Sequence, residues 1–365
     1  MRSFPQTHYV TTTSGDQPAR PAFTRILSIP SKRGRELVAA IGAVVMATTA
    51  VIAFPTLASA RVSARVSARV ESRATRPEGR SVGTVTALPT SSINSSRVAN
   101  LTLLDSLRGR SRKLRARFLA PRRAASISIL REMFGDSAVL KAGVYEAADG
   151  DAGLRFHFIT MRPFTDKVAG RIGAYRIGFF PEERRGARSA SYVNPEGFLE
   201  VTADNQDTHV SEHFRLGDFL THDQVRVWPK YLVLREPLVD KLELVIAELR
   251  AMGVSVDRMR VMSGFRTPQY NARGVGAGGR AQDSRHQYGD AADVYIANGS
   301  RDWMSDLNGD GRVDARDAQV LALAAERVEA RNPELVGGVG IYKATSAHGP
   351  FVHIDVRGTR ARWGA

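Results

Sequence analysis

The spacing of apolar residues divides the chain into segments of different kinds. Residues 37–54, "LVAAIGAVVMATTAVIAF", are uncharged throughout. Residues 61–126 contain short basic repeats and a run rich in serine, threonine and proline. A segment without a continuous apolar face cannot bury enough surface to fold and is typical of a linker. Patterns of folded structure begin at about residue 127 and continue through the rest of the chain.

Alternation of apolar and polar residues predicts strands over residues 127–205. The segments "KAGVYEA", "LRFHFITMRPF", "AYRIGFF" and "EGFLEVTA" indicate a small β-rich module there. A helix follows, with Pro237 at its start and Gly253 at its end. Its apolar face is formed by Leu238, Leu242, Val245, Ile246 and Leu249. Strands and helices are mixed without a βαβ repeat, which predicts an α+β domain over residues 206–365.

The apolar run at residues 37–54 has the flanks of an export signal. It follows the basic stretch "SKRGRE" and precedes "PTLASA", which ends in a small-residue cleavage pattern. Residues 1–60 are therefore predicted to be a secretory signal or, because the run approaches the length of a membrane span, an uncleaved anchor. Both interpretations place the rest of the chain in the periplasm or cell envelope, with membrane contact only through the anchor.

The net charge of +15 is concentrated in the first third of the chain. Residues 1–125 hold 21 of the 52 Lys and Arg and 5 of the 37 Asp and Glu, which leaves 31 against 32 for residues 126–365. A nucleic-acid reader carries its basic stripe on the folded domain. The near-neutral folded part therefore argues against nucleic acid as a partner. The basic linker either lies on anionic envelope polymer or is a solvated tether.

The chain has no cysteine, so a zinc site must use histidine and carboxylate ligands. In "DSRHQYGDAADV" the stretch Gly289-Asp290-Ala291-Ala292 permits a tight turn between His286 and Asp293, which lies in the apparent strand "ADVYI". His353 lies in "GPFVHIDVRG", whose alternation places it on one face with Phe351 and Asp355. His286, Asp293 and His353 are the candidate zinc ligands. A hydrogen-bonded structural His-Asp pair is the alternative.

Three motifs in sequence order carry a family resemblance: "SGFRTPQYN", "SRHQYGDAAD" and "FVHIDVRG". Together they resemble the signature of the zinc D-Ala-D-Ala carboxypeptidase and murein endopeptidase superfamily, whose fold is shared with lysostaphin-type and hedgehog-type domains. The resemblance covers about 258–296 and 335–363. It implies a small antiparallel sheet with helices, zinc bound by the three candidate ligands, and peptidoglycan peptides as the substrate.

The resemblance also implies roles for residues around the ligands. Arg266 matches the arginine that stabilises the negative charge developing on the scissile carbonyl. Ser263, Ser284 and Tyr288 would contact the substrate. These residues complete the candidate site apart from the general base.

The general base is where the sequence departs from the family pattern. Relatives commonly place an acid three residues, or a histidine two residues, before the last ligand, where this chain has Pro350 and Phe351. Asp355 is the first candidate because it shares a strand face with His353, although it could instead only orient that ligand. His348 is the second candidate. A zinc hydrolase and, without a competent base, an envelope-binding protein of the same fold both remain open.

A second cation site is predicted in "DLNGDGRVDARD", within a proposed insertion over residues 302–331. The spacing matches a calcium loop and resembles the dockerin type, with an aspartate at the last position. The expected ligands are Asp306, Asn308, Asp310, the backbone carbonyl of Arg312, Asp314 and Asp317. A helix is expected to begin near Ala315, with Val320, Leu321, Leu323, Ala324 and Val328 apolar. The alternative is a solvated turn held by side-chain hydrogen bonds. One loop does not indicate docking, because dockerins carry two.

Overall fold

The computed structural model describes residues 68–69, 107–148, 155–186, 189–276 and 279–364. The helices are α1 (Ala124–Phe134), α2 (Pro181–Arg185), α3 (Glu236–Ala251), α4 (Pro268–Ala272) and α5 (Ala315–Arg331). The strands are β1 (Ala68–Arg69), β2 (Ala116–Leu119), β3 (Gly143–Ala148), β4 (Arg155–Thr160), β5 (Arg162–Pro163), β6 (Arg171–Ile172), β7 (Tyr175–Arg176), β8 (Gly197–Val201), β9 (Lys230–Leu232), β10 (Arg258–Ser263), β11 (Ala291–Ala297), β12 (Gly338–Tyr342), β13 (Phe351–Asp355) and β14 (Ala361–Gly364). Short 3₁₀ helices lie at Asp136–Leu140, Phe164–Asp166, Ala190–Tyr192, Leu216–Phe219, Arg285–Tyr288 and Pro333–Leu335. The protein is therefore α+β, as predicted.

A five-stranded sheet carries Asp293 and His353. Its strand order is β10-β11-β13-β12-β14, and every pair is antiparallel except β12 with β14. Asp293 on β11 lies opposite His353 on β13, and Ser263 on β10 lies opposite Asp293. Pairing of strands that are distant in sequence thus places these residues in one row across the sheet.

Helix α3 confirms the sequence prediction in its bounds and its apolar face. It begins at Glu236 with Pro237 in its first turn. The five predicted face residues are all at most 1% exposed. Gly253 ends the helix with a φ of 82°, a conformation that glycine adopts without steric cost. The amphipathic pattern alone was sufficient to predict this element.

Helix α5 begins at Ala315, as predicted, and packs against α3, β12 and β13. The side chain of Asp314 caps it by accepting a hydrogen bond from the amide of Arg316 at 2.7 Å. Leu321 and Val328 are buried, but Leu323 is 43% exposed and lies outside the core. The helix is therefore present as expected, and one of its five apolar residues, Leu323, faces solvent.

The predicted strands of residues 127–205 are present at different lengths. "KAGVYEA" contains β3, "LRFHFITMRPF" contains β4 and β5, and "EGFLEVTA" contains β8. "AYRIGFF" forms only the two residues of β7. Gly178 turns the chain with a φ of 84°, and Pro181 then begins α2. Local backbone geometry thus shortened a strand that alternation alone predicted to be longer.

A four-stranded sheet, of order β1-β3-β4-β2, includes two elements predicted to be linker. Strand β2 pairs in parallel with β4, and Leu114 and Ala116 are buried in the main core. Helix α1 contributes Leu130 to a separate apolar cluster, together with Leu119. The assignment of residues 61–126 to a linker is therefore wrong for residues 114–119. Their many arginines obscured a short run of alternating apolar residues.

The main core contains residues from both sides of position 205. Phe198 and Phe214, at most 1% exposed, belong to the same buried cluster. The division into a module at 127–205 and a domain at 206–365 stays a prediction. The predicted signal or anchor at 1–60 lies outside the described residues. Within the described part of the chain, no helix is long and apolar enough to span a membrane.

Candidate metal centre

The three candidate ligands converge in a buried group at the five-stranded sheet. His286 lies in the 3₁₀ turn Arg285–Tyr288 that leads into β11, Asp293 lies on β11 and His353 lies on β13. Their exposures are 1%, 4% and 6%. Of all the described residues, only these three bring suitable His, Asp or Glu ligand atoms within 4.8 Å of one another in a group of three.

The ligand atoms form a nearly equilateral triangle. His286 Nε2 lies 3.2 Å from Asp293 Oδ1 and 3.1 Å from His353 Nδ1. His353 Nδ1 lies 3.0 Å from Asp293 Oδ1. Three ligands of a tetrahedral zinc ion, each bound at about 2.0–2.1 Å, are about 3.3 Å apart. The triangle therefore fits a zinc-sized cation bound through three protein atoms, with a fourth direction left for water or substrate.

The outward-facing nitrogen of each imidazole already has a hydrogen-bond partner. His286 Nδ1 lies 2.7 Å from the carbonyl oxygen of Gly264. His353 Nε2 lies 3.1 Å from Asp355 Oδ2. When each outer nitrogen donates its proton to these acceptors, the inner nitrogen keeps a lone pair directed at the centre of the triangle. Those tautomers are the ones that metal binding requires.

Burial and neighbouring charges shift the pKa values of the three candidate ligands. Burial lowers the pKa of His286, which keeps it neutral and able to donate a lone pair. Burial alone would raise the pKa of Asp293, but the neighbouring imidazoles of His286 and His353 hold it well below its ordinary value. Burial opposes protonation of His353, but its hydrogen bonds to Asp293 and Asp355 raise its pKa. Without a cation, a proton on His353 relieves the repulsion between lone pairs, so proton and cation compete for one place.

A buried ion pair fixes the turn between His286 and Asp293. Arg285 and Asp290 are 2% and 0% exposed, and Arg285 Nε donates to Asp290 Oδ1 at 3.1 Å. Between them, Gly289 has a φ of 66°, and a Cβ atom there would lie 2.2 Å from the carbonyl oxygen of Val233. This pair was not predicted from the sequence, although the charges in "RHQYGD" were its signal. The pair and the glycine set the path by which the chain returns to β11.

Arg266 lies beside the triad, as the sequence predicted for an oxyanion-stabilising residue. Its Nη2 contacts Asp293 Oδ2, the carboxylate oxygen that faces away from the two histidines. Its Nε donates to Ser263 Oγ at 2.8 Å. The Arg266 side chain is 14% exposed, so part of the guanidinium meets solvent. Ser263 thereby orients Arg266, and its direct contact with substrate stays a prediction.

Asp355 is not placed to act as the general base. It lies on the outer nitrogen of His353, on the far side of the ring from the other ligand atoms. It is 0% exposed, and its oxygens accept hydrogen bonds from the amide of Gly338 at 2.7 Å and from Arg357 Nε at 2.9 Å. A carboxylate that is fully bonded and sealed from solvent cannot take a proton from attacking water. The assignment of Asp355 as the base is corrected to its alternative, orientation of His353.

The remaining predicted residues have different surroundings. His348 is half-buried, packs on Phe351 and lies with its Nδ1 2.8 Å from the carbonyl oxygen of Gly349, without a hydrogen bond to the triad. Ser284 is 8% exposed and precedes the turn that carries His286. Tyr288 is 1% exposed inside the core, against the rings of Phe180 and Tyr192. Its assignment to a substrate pocket is wrong, because its ring is packed on all sides by the protein.

Two further residues beside the triad escaped sequence analysis. The Trp363 ring lies 5.1 Å from the His353 ring and covers Gly340, where a Cβ atom would be 2.3 Å from the indole. Partial desolvation of the His222 ring and the charges of Arg266 and Arg280 lower the pKa of His222, which favours the neutral imidazole, although the residue as a whole is exposed. Neither residue belongs to a motif, so no local pattern indicated them.

A buried lysine supports the triad from behind the sheet. Lys241 on α3 is 0% exposed, and its Nζ donates to Glu329 Oε1 at 2.6 Å and to the carbonyl oxygen of Asp355 at 2.7 Å. Glu329 on α5 also accepts from the amide of Gly337 at 3.0 Å. Burial lowers the pKa of Lys241, and Glu329 opposes that shift. The pair ties both helices to the end of β13 that carries Asp355.

The predicted calcium loop forms a compact turn that satisfies its own carboxylates. Asp306 accepts from the amides of Gly309 and Gly311 at 2.7 and 2.8 Å, which lowers the pKa of Asp306. Asp310 accepts from the amide of Arg312 at 2.9 Å, and Asp317 accepts from the amide of Leu307 at 2.7 Å. Asn308 Oδ1 accepts from the amide of Asp310 at 2.9 Å. This arrangement is the hydrogen-bonded turn that was the alternative, and calcium binding stays a prediction.

Comparison with known proteins adds no identification: no family model, no curated protein and no solved structure matches this chain.

Proposed function

We propose that this chain is an exported zinc metallopeptidase that hydrolyses stem or cross-link peptides of peptidoglycan. The observation that carries the proposal is the buried triangle of ligand atoms, 3.0–3.2 Å on each edge, with both outer imidazole nitrogens already bonded. The peptidoglycan substrate and the hedgehog-type or D-Ala-D-Ala peptidase-type fold rest on the three sequence motifs. The apolar run at 37–54 supports export.

The residues in and around the triad would have separate roles in such a reaction. A zinc ion bound by His286, Asp293 and His353 would lower the pKa of a water molecule to about 7 and polarise the scissile carbonyl. Arg266 supplies a fixed guanidinium beside the site, where it stabilises negative charge on the carbonyl oxygen. Asp355 holds His353 in orientation. We assign the proton acceptor to His222, whose pKa is influenced by Arg266, or to His348, which precedes His353 by five residues.

Zinc analysis tests the metal. Purified protein beginning at residue 107 should contain about one zinc per chain, and His286→Ala should lose it. A zinc-free wild-type protein that tolerates this substitution without any change would refute the proposal. His213→Ala is the matched control, because His213 is half-buried, pairs with Glu243 and makes no hydrogen bond to the triad.

Digestion of purified peptidoglycan, followed by mass analysis of the released peptides, tests the reaction and identifies the bond. The wild type should release peptides, and removal of zinc by a chelator should stop the release. Comparison of His222→Ala, His348→Ala and Asp355→Asn then assigns the base. The base variant should keep zinc and lose turnover, whereas Asp355→Asn should weaken zinc binding itself.

A non-catalytic envelope-binding protein is the second candidate. One observation favours it: Asp355, the first candidate base, is buried and bonded to Arg357 and Gly338. In that case wild-type protein should contain zinc and sediment with peptidoglycan, yet release no peptide. The digestion experiment separates the two functions directly.

A further inference from the structure

The five-stranded sheet has one face in the main core and a second face that carries the triad. Val294 and Val352 are 0% exposed and belong to the main core, on the face against which α5 packs. Because successive side chains of a strand point to opposite faces, His353 lies on the second face. Phe351, two positions before His353, and Tyr295, next to Val294, share that face. Neighbouring side chains on one face of a strand are about 7 Å apart, so aromatic residues begin one such step from the triad.

Four aromatic side chains near the triad form what we call the aromatic cluster: Trp303, Tyr342, Phe351 and Trp363. Tyr342 and Phe351 are paired across β12 and β13, and their rings stack with centroids 4.5 Å apart and 5° between their planes. Trp363 Nε1 donates a hydrogen bond to the Tyr342 hydroxyl at 2.9 Å, and the Trp363 ring lies 5.1 Å from the His353 ring. These contacts fix three of the rings beside a candidate metal ligand.

Trp303 joins the aromatic cluster from the predicted insertion at residues 302–331. Its indole packs on Gly349, two positions before Phe351, where a Cβ atom would lie 2.6 Å from Trp303 Nε1. Trp303 is 46% exposed, and Tyr342 is 37% exposed. Exposed apolar surface beside a functional site is typical of a binding surface. The cluster therefore offers ring area that its own contacts leave uncovered.

An ion pair borders the aromatic cluster at the insertion. Arg260 Nε and Nη2 donate to the two oxygens of Asp302, the residue before Trp303, at 2.8 and 3.0 Å. The hydroxyl of Tyr295 donates to Asp302 Oδ1 at 2.9 Å. The Asp302 side chain is nevertheless 54% exposed, so its oxygens are also accessible to a hydroxyl group of a ligand.

The charges in contact with the aromatic cluster are balanced. Arg357 lies 5.6 Å from the centre of the Trp363 ring, but it is paired with Asp355. Surfaces that bind single-stranded nucleic acid combine aromatic rings with a basic groove, and surfaces that bind lipid carry Lys and Arg beside their apolar residues. A ligand without net charge, which still forms hydrogen bonds, suits the cluster better than either.

We propose that the aromatic cluster binds a pyranose ring of an uncharged oligosaccharide. The face of an aromatic ring carries partial negative charge, so Trp303 and Tyr342 attract the C–H groups of the sugar ring. A sugar hydroxyl donates a hydrogen bond to the exposed carboxylate of Asp302. The site lies outside the metal centre and needs neither zinc nor a proton acceptor, so binding there is separate from the proposed peptide hydrolysis.

Calorimetric titration of the full-length chain with tetra-N-acetylchitotetraose, an uncharged oligosaccharide, tests the role of the rings. Zinc is first removed with a chelator, so that the result is independent of hydrolysis. The wild type should bind the sugar, and Trp303→Ala should weaken binding about 10-fold, as expected for the loss of one stacked ring. Trp303→Phe keeps a ring and should lose less than about threefold.

Phe179→Ala is the matched control for Trp303→Ala. Phe179 is also 46% exposed but lies outside the aromatic cluster, so its loss should leave the affinity for the sugar unchanged. Thermal unfolding of each variant, measured beside binding, separates loss of the ring from loss of the fold. Equal losses of affinity in folded Trp303→Ala and Phe179→Ala would overturn the proposal, and so would a wild type that does not bind the sugar.

Lys343→Gln tests whether the ligand is uncharged. Lys343 is exposed and follows Tyr342 in the chain. The variant should bind the uncharged sugar as tightly as the wild type does. Loss of binding in this variant, or tighter binding of tetragalacturonic acid than of the uncharged sugar by the wild type, would make the cluster an anion site and overturn the proposal.

Light scattering distinguishes a sugar site from an interface between two copies of the chain. A dimer that forms with increasing protein concentration and that Trp303→Ala abolishes would assign the cluster to a second copy and overturn the proposal. Conversely, a protein that contains no zinc and releases no peptide, yet binds the sugar through Trp303, would retain the cluster site and lose only the proposed function.

Discussion

Two regions of this protein carry the residue types of a cation site, and their side chains are used in opposite ways. In the triad, the outer atoms of both histidines are bonded to protein and the inner atoms face one another at 3.0–3.2 Å. In the loop at residues 306–317, the carboxylates accept hydrogen bonds from the loop's own amides. The triad therefore needs a proton or a cation at its centre, whereas the loop is satisfied without one.

The difference follows from where the ligands come from in the sequence. The ligand pairs of the triad are 7, 60 and 67 residues apart. A local turn brings His286 to Asp293, and the pairing of β11 with β13 brings His353 to both. Once held by the turn and the sheet, they cannot turn away from one another. The loop residues are neighbours and can bond to nearby amides. We therefore expect metal at the triad to change the protein far more than calcium at the loop.

Loss of a triad ligand should have the largest effect. Asp293→Ala is expected to weaken zinc binding by more than about 100-fold, because it removes a ligand and leaves Arg266 without its carboxylate partner. Competition with a chromogenic chelator measures the affinity. Asp306→Ala, in the loop, is the matched control and should leave zinc affinity unchanged. Equal losses of zinc affinity in both variants would contradict the difference between the triad and the loop.

Removal of the buried Lys241 charge behind the triad should have the second-largest effect. Lys241→Met removes one buried partner of Glu329, which keeps its ion pair with Arg362. The loss of a charge-assisted hydrogen bond in the core should lower the free energy of unfolding by about 2 kcal/mol. Urea denaturation measures this change. The control is Glu248→Gln, which breaks ion pairs between the same two helices, to Arg327 and Arg331, whose side chains are 52% and 62% exposed. It should cost less than about 1 kcal/mol.

A double variant tests whether Lys241 supports the metal site in addition to the stability of the fold. Lys241→Met/Glu329→Gln removes both charges and should recover part of the lost stability, since Arg362, the other partner of Glu329, keeps its ion pair with Glu326. Zinc affinity should stay reduced, because the hydrogen bond to the carbonyl oxygen of Asp355 is not restored. Full recovery of zinc affinity with stability would show that Lys241 serves the fold alone.

Substitution of the group that orients His353 should have a smaller effect. Asp355→Asn keeps the shape of the side chain but loses the charge that holds the imidazole, so zinc affinity should fall by about 10- to 100-fold. The same chelator competition measures it. If Asp355→Asn abolished peptidoglycan cleavage while zinc affinity stayed constant, its assignment as the base would be restored.

Calcium should produce the smallest change. At a calcium concentration equal to the dissociation constant, binding at the loop adds about 0.4 kcal/mol to the free energy of unfolding. Thermal unfolding with calcium and with a calcium chelator measures it, and Asp310→Asn should reduce the response. A stabilisation as large as that caused by zinc at the triad would contradict the contrast between the two regions.

Elements with a strong local pattern were predictable from the sequence. The apolar face of α3, the start of α5 at Ala315 and the strands around Asp293 and His353 follow from periodicity, proline and glycine. Elements with weak patterns were missed, such as β2 among arginines and α1. Tyr288 was misplaced because a tyrosine in a motif looks the same whether its ring meets substrate or core.

The sequence by itself determined which residues are able to form a metal centre, because an absence of cysteine restricts the ligands to histidine and carboxylate and the motifs single out His286, Asp293 and His353. Only the tertiary structure decided how their partners act. Asp355 became an orienting group because β12 and Arg357 surround it, and Asp293 faces His353 because β11 pairs with β13 in that register. The contacts of Asp355 with Gly338 and of Asp293 with His353 join residues 17 and 60 positions apart, and short-range patterns carry no record of them.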